Sequence, residues 1–222
     1  MRKICFILLT GILLSCDGDP IDKGVETTIE GRIYDKQNDI PFDHLKIKIA
    51  EYKIHRSGIY TNREFIQWID STYTDQYGEF YLKFETSGRG DYYQFHVEDK
   101  PYIWDYHQSV FEIPYIGKSL SLDLDLLHLY PINLVIEMKD IQHLPVSLNL
   151  RHYQDLEDIK TGSGTVEINI YADKNSDTEV KFRRKIATSE YEQYSVIIPA
   201  TNISELINYN LTLNNSDFKP TE

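Results

Sequence analysis

Apolar and polar residues alternate along most of this 222-residue chain. Leu45, Ile47 and Ile49 fall on one side of an extended backbone, while Lys46 and Lys48 fall on the other. The same period of two returns in Phe80/Leu82/Phe84, Leu120/Leu122/Leu124 and Ile132/Leu134/Ile136. It recurs in Val146/Leu148/Leu150, Val166/Ile168/Ile170 and Tyr209/Leu211/Leu213. Each run buries one face and wets the other, the pattern of antiparallel sheets packed as sandwiches. Long helical periods are nearly absent, and a single helical turn is expected over residues 202–207, after Pro199. The pattern predicts an all-β protein made of two antiparallel β-sandwich units.

Punctuation places those units at residues 27–118 and 119–222. PYIWDYHQSVFEIPYIGK (101–118) carries two prolines and broken alternation, which suits a connection. DLEDIKTGSG (155–164) reads as a polar, glycine-rich loop inside the second unit.

The first residues do not belong to either unit. Arg2 and Lys3 precede an apolar run from Ile4 to Leu14, and Ser15 is a small residue at a cleavage point, so residues 1–15 read as a signal peptide. The run is shorter than the roughly 20 residues that a spanning helix needs. Leu13-Leu14-Ser15-Cys16 resembles a bacterial lipobox. That resemblance implies cleavage before Cys16, acylation of its thiol, and a membrane partner reached through N-terminal lipid. Acyl chains hold by burying methylenes, at about 0.8 kcal/mol each. Residues 16–26 then form a tether, in which Asp17-Gly18-Asp19-Pro20 can neither pack nor form a helix. Acids directly after the lipidated cysteine resemble a surface-export signal of some bacterial groups. The expected location is the bacterial outer membrane, facing the periplasm or the cell surface.

TIEGRIYDKQNDIPFDHLKIKI (28–49) and TDQYGEFYLKF (74–84) carry a more specific pattern. A strand bearing Gly31 leads through a polar turn to Ile40-Pro41 and a second alternating strand. In TDQYGEF, the Asp75 side chain can accept backbone N–H groups of the turn, and Gly78 tolerates positive φ at its exit. In this order the elements resemble the carboxypeptidase regulatory-like, or transthyretin-like, β-sandwich domain over residues 27–98. EYKIHRSGIYTNREFIQWID (51–70) departs from that pattern as an insertion. The resemblance implies a non-catalytic structural or docking module.

Charge and cysteine usage narrow the partners. The formal net charge of −12 becomes −14 when Arg2 and Lys3 leave, a surface that repels nucleic acid and anionic headgroups. Cys5 and Cys16 are the two cysteines, so an exported mature domain has no disulfide and relies on its core.

Catalytic signatures are missing. Gly162-Ser163-Gly164 lacks the spacing of a nucleophile elbow, and neither a phosphate loop nor a dinucleotide fingerprint occurs. The seven histidines show no zinc-binding spacing. The chain therefore reads as a non-enzyme without a cofactor.

Two constellations remain as candidate sites. Asp173, Asn175, Asp177 and Glu179 place oxygens at alternate positions, as the start of a calcium loop does, although Thr178 replaces the glycine and Arg184 the final glutamate. A solvated hairpin turn has the same composition. Tyr92, Tyr93, Tyr102, Trp104 and Tyr106 crowd residues 91–108, interleaved with acids and amides. Exposed aromatic faces beside hydrogen-bonding groups suit sugar rings or protein partners, whereas a core would absorb an alternating subset. The expected function is a lipid-anchored extracytoplasmic binding or assembly module. The rivals are a glycan-binding or glycan-hydrolysing accessory lipoprotein, and an adhesin or fimbrial anchor subunit.

Overall fold

The first sandwich is organised by β1 (Glu26–Asp35), long enough to serve two sets of neighbours. After it come β2 (Ile40–Pro41), β3 (Lys46–Ser57), β4 (Tyr60–Tyr73), β5 (Glu79–Glu85) and β6 (Tyr92–Val97). Short strands follow: β7 (Ile103–Trp104), β8 (Val110–Glu112), β9 (Ser119–Ser121), β10 (Leu124–Asp125) and β11 (Leu127–His128). The first half of β1 lies between antiparallel β5 and parallel β9, and its second half between β2 and β10. The facing sheet has the order β4-β3-β6-β8, antiparallel throughout. These strands come from a computed structural model that describes residues 19–57, 60–104, 110–150 and 156–221.

The second sandwich comprises β12 (Tyr130–Lys139), β13 (Val146–Leu150), β14 (Gly164–Ala172), β15 (Thr178–Ala187), β16 (Glu190–Ile198), β17 (Ile207–Asn214) and β18 (Lys219–Pro220). One sheet runs β14-β12-β17 and the other β13-β15-β16-β18. The chain is thus all-β, as the alternation predicts, and the predicted runs fall in β3, β5, β9, β10, β12, β13, β14 and β17.

Strand for strand, the two sandwiches follow one plan. In the first, β1 pairs antiparallel with β5 and parallel with β9, while β3 pairs with β6 and β6 with β8. In the second, β12 pairs antiparallel with β14 and parallel with β17, while β13 pairs with β15 and β15 with β16. The approach to the second strand also repeats. Asp39, at φ 58°, leads into Ile40-Pro41-Phe42, and His143, at φ 57°, leads into Leu144-Pro145-Val146. The difference is β4. The first sandwich has a 14-residue strand beside β3, whereas among the described residues the second has the bridge of Val146 to Ile159 at that position.

Each sandwich has its own core. Ile29, Ile33, Ile47, Ile49, Leu82, Phe84, Tyr93 and Phe95 anchor the first, which extends to Leu124 and Leu126. Ile132, Leu134, Ile136, Val146, Ile170, Val180 and Phe182 anchor the second. The change of core therefore falls after Leu126, a few residues past the Lys118–Ser119 boundary expected from punctuation, because Ser119–Ser121 and Leu124–Asp125 pair with β1.

The helical turn expected over residues 202–207 does not form. Asn202 takes φ 54° and donates its N–H to the Lys174 carbonyl at 2.9 Å, while the Thr201 hydroxyl accepts from Ile203 N–H. Local side-chain and cross-chain hydrogen bonds thus replace the helical ones. A single turn of 3-10 helix lies instead at Asn215–Asp217.

Candidate functional site

The outer face of the sheet β4-β3-β6-β8 is where the chain gathers aromatic side chains in the open. Its register sets Lys48 beside Ser71 and His96, Ala50 beside Trp68 and Gln94, and Tyr52 beside Phe65 and Tyr92. Strict alternation does not produce this set. Two β-bulges, between Ile49 and Ala50 and between Glu51 and Tyr52, each add a residue on β4. A bulge shifts the parity of a strand and re-aims the side chains beyond it. Trp68 and Phe65, three positions apart, therefore share one face.

The rings touch in a continuous path. Ring centroids lie 5.7 Å apart for Tyr52–Phe65, 5.4 Å for Phe65–Trp68 and 5.1 Å for Trp68–His96. Tyr52 also meets Tyr92 at 6.1 Å and His96 at 6.4 Å. Phe65 and Trp68 remain 47% and 46% exposed despite these contacts, and Tyr73, further along β4, is 46% exposed. Cations lie over three of the rings: Lys48 Nζ 3.9 Å from the Trp68 centroid, Arg63 Cζ 4.6 Å from Tyr92, and Lys46 Nζ 5.6 Å from Tyr73. Each such pair contributes about 0.5–1 kcal/mol at an exposed position. Burial, then Lys48, pushes the His96 pKa down, so its imidazole is neutral near pH 7.

Beneath this face, one polar group fixes β4. Glu51 is fully buried, and its carboxylate accepts from Tyr93 Oη at 2.7 Å, Gly90 N–H at 3.0 Å, Ser87 Oγ at 2.6 and 2.8 Å, and Gln67 Nε2 at 3.0 Å. Burial pushes its pKa up, but the four donors outweigh burial and hold it below the ordinary range. Gln67 sits between Phe65 and Trp68 with its side chain turned inward, so this bond orients β4 and sends the two aromatics outward.

The second sandwich shows what the sheet plan itself requires of this face. Its equivalent outer face presents Ser147 and Asn149 on β13, Glu179, Lys181, Arg183 and Lys185 on β15, and Tyr191, Gln193, Ser195 and Ile197 on β16. The same sheet plan is therefore satisfied by a largely polar face, on which Ile197 is exposed and Arg183 lies 3.9 Å over the ring of Tyr191.

The aromatic residues picked out by sequence separate into three places. Tyr92 lies under the aromatic face, its hydroxyl accepting from Gln94 Nε2 at 3.2 Å. Tyr93 is 1% exposed and belongs to the core, because neighbouring strand residues point to opposite sides. Tyr102 and Trp104 stand at the junction of the sandwiches: Tyr102 packs on His128, its carbonyl accepts from Leu129 N–H at 2.7 Å, and Trp104 pairs with Leu127 between β7 and β11. Tyr106 and Cys16 lie outside the described residues. Sequence reading missed Tyr52, Phe65 and Trp68; their signal was the density of aromatics in the hairpin 51–73 rather than its period.

The residues read as a calcium loop also sit at the junction. Asp173 accepts from Gln37 Nε2 on both oxygens, at 3.0 and 3.1 Å, and from Asn175 N–H and Ser176 Oγ within its own turn. Asn175 Nδ2 donates to Asn38 Oδ1 at 2.8 Å. Asp177 accepts from Ala200 N–H, and Glu179 pairs with Lys181. Among the described residues no group of three or more acidic, histidine or cysteine side chains stands close enough to hold a metal ion.

No family model matches the chain, and no curated protein matches it. Solved structures do. The Bacillus anthracis TIE protein aligns at 13% identity over 85% of this chain and 34% of its own, with a TM-score of 0.33, so this chain spans about a third of that protein's length. GBS52, the minor pilin of Streptococcus agalactiae, aligns at 12% identity over 88% of this chain and 97% of its own, with a TM-score of 0.38. The shaft pilin SpaA of Lactobacillus rhamnosus GG aligns at 10% identity over 85% and 97%, with a TM-score of 0.31.

Proposed function

We propose that this protein is a lipid-anchored binding module of the bacterial cell envelope, without catalysis of its own, and that the outer face of β4-β3-β6-β8 holds its ligand. The observation that carries this reading is the contrast between the two sandwiches. One plan is built twice, and among the described residues it is the first copy that turns a cluster of touching aromatic rings toward solvent. Half-exposed Phe65 and Trp68 cost apolar surface in water, about 25 cal/mol per Å², which a bound ligand recovers. Cys16 supplies the anchor, and the extracytoplasmic side is where the signal reading puts the domain. The order of Gly31, Ile40-Pro41 and the Asp75–Gly78 turn supports the transthyretin-like type for the first sandwich.

A second reading, assembly as an adhesin or fimbrial subunit, draws on a different feature. Among the described residues β14 and β17 each pair with β12 on one side only, and along their nine and eight residues Glu167 is the one charge. Long, unbulged, uncharged edges accept further strands.

In-membrane crosslinking of the full-length lipidated protein tests the first reading. Wild type should retain a stoichiometric ligand that F65A/W68A loses, with both staying in the membrane. Equal retention by the double variant removes the aromatic face from the proposal.

A further inference from the structure

We infer that the aromatic face takes an acidic polysaccharide of the uronate type, the rings meeting sugar faces and the cations meeting sugar carboxylates. This rests on the reading of that face as the binding site.

The first observation is a reversal of charge. The chain has 35 acids against 23 lysines and arginines. Residues 46–73 invert that ratio, with Lys46, Lys48, Lys53, Arg56 and Arg63 against Glu51, Glu64 and Asp70. Two of these carboxylates are already engaged: Glu51 is buried among its donors, and Glu64 accepts from His55 at 2.8 Å. Elsewhere on the surface Lys36, Lys83, Lys100, Lys139 and Lys181 each pair with an acid. Lys46, Lys48 and Arg63 have no carboxylate within ion-pair distance among the described residues and lie over rings. Three cations are thus set over rings on this face, in a protein whose net charge is negative. The acids beside them are Glu98, just past β6, whose pKa Lys100 and then Lys46 lower, and Glu112 of β8, which accepts from Tyr92 Oη at 3.4 Å.

The second observation is the alternation of chemistry on the face. Lys48 stands over Trp68, Arg63 over Tyr92 and Lys46 over Tyr73, so each cation is offered together with a ring. Carboxylate-bearing sugars present the same pair of groups in every unit: a flat C–H face for the ring and a carboxylate for the cation. His96, held neutral, adds a nitrogen that can bond a hydroxyl.

The third observation separates a sugar chain from an acidic peptide. An extended peptide would add to the free side of β4 through its backbone. β4 is broken by two bulges and carries Arg63, Glu64 and Asp70, the devices that blunt an edge against strand addition. What stays accessible is the side-chain face rather than the backbone ladder.

Full-length protein in detergent, carrying Trp104→Phe so that Trp68 reports alone, is titrated with three probes by fluorescence and calorimetry. The probes are polygalacturonate, its methyl ester and poly-glutamate. Saturable binding of polygalacturonate is expected, weakened about tenfold by methyl esterification and by Lys48→Gln with Arg63→Gln, and weakened by added salt. The two charge variants lie on the surface, so an unchanged melting temperature verifies their fold. Poly-glutamate should bind at least about tenfold more weakly. Equal binding of the methyl ester overturns the acidic-ligand inference while leaving the binding face intact. Equal binding of poly-glutamate overturns it in favour of an acidic peptide, and no binding of polygalacturonate overturns it outright. If Phe65→Ala with Trp68→Ala leaves polygalacturonate binding unchanged, the binding-face reading itself fails.

Discussion

Gly78 and Gly162 occupy the same place in the two sandwiches. The carbonyl of Gly78 accepts the N–H of Ile33 at 2.8 Å, and that of Gly162 accepts the N–H of Ile141 at 2.9 Å. A Cβ on either glycine would run into the carbonyl of that same isoleucine. At this point β5 enters beside β1 and β14 beside β12, so close backbone approach is required twice. Gly78→Ala and Gly162→Ala should each destabilise by about 2 kcal/mol or more. Gly78 is the more sensitive of the two, because it also takes φ 76°. Thermal denaturation checks this; melting temperatures equal to wild type would mean the backbone contact is easily relieved.

Stability should fall on acidification in two stages. Burial is the main cause of a lowered pKa at both His96 and His128, with Lys48 and Lys174 adding to it. A histidine depressed in the folded state favours folding above its unfolded value, near 6.5, and loses that contribution as pH falls toward its folded value. Glu51 acts lower. Its stabilisation is present above the unfolded value near 4.5 and is lost as pH falls through the folded value. Denaturant midpoints measured from pH 8 to pH 3 should decline from about pH 6.5 and steepen below about pH 4.5. In Glu51→Gln the second decline should shrink, at a cost of about 1–3 kcal/mol near neutral pH, since an amide presents hydrogens to groups that donate. An unaltered acid limb in that variant would assign the lower transition to other carboxylates.

The junction between sandwiches depends on the turn that resembles a calcium loop. Asp173 receives both bonds from Gln37, and Asn175 meets Asn38. Lys174 lies 4.4 Å over the ring of Tyr130. Gln37→Ala should weaken the coupling of the units by about 1 kcal/mol, seen as a broader or split unfolding transition. A transition as sharp as wild type would show that the contacts around His128 and Leu129 suffice.

Anchoring is tested at Cys16. Cys16→Ser removes the thiol that lipid would occupy, and two acyl signals are what stable membrane attachment takes. The variant should move to the soluble fraction after cell disruption; retention with the membranes would count against lipid as the anchor.

How far the molecule could be read from its residues follows from where period two survives. Ile47, Ile49, Leu82, Phe84, Leu134 and Ile136 alternate without interruption, and they are core residues in the structure. The Asp75–Gly78 turn was legible from side-chain chemistry: Asp75 Oδ1 accepts from Tyr77 and Glu79 N–H at 2.9 Å each, and Gly78 has positive φ. The aromatic face was not legible, because the two bulges break period two in β4 and make the hairpin resemble an insertion. Tyr92 and Tyr93 look alike in sequence, yet one lies under the outer face and the other in the core, a distinction set by register. The repeat of the sandwich was hidden for a similar reason. It rests on strand order and on the turn positions of Asp39, Pro41 and Gly78 matched by His143, Pro145 and Gly162, while the residues between them differ.

The aromatic face gives the last prediction, a separation of binding from folding. Phe65 and Trp68 are half exposed and stand outside the hydrophobic core, so Phe65→Ala with Trp68→Ala should cost no more than about 1 kcal/mol of stability. Glu51→Ala differs, because it leaves Tyr93, Ser87, Gln67 and Gly90 donors without their acceptor, at a cost of about 2–4 kcal/mol. It also releases β4 from beneath, so it should weaken ligand binding together with stability. Gln67→Ala removes one donor and leaves three on the carboxylate. Its stability loss should therefore be smaller than that of Glu51→Ala, while its effect on the orientation of Phe65 and Trp68 remains. Measuring melting temperature and ligand retention on all three variants distinguishes the roles. The aromatic pair should lose ligand at nearly wild-type stability, and Gln67→Ala should lose it partly. If retention instead tracks stability across the three, the face is part of the scaffold and the ligand sits elsewhere.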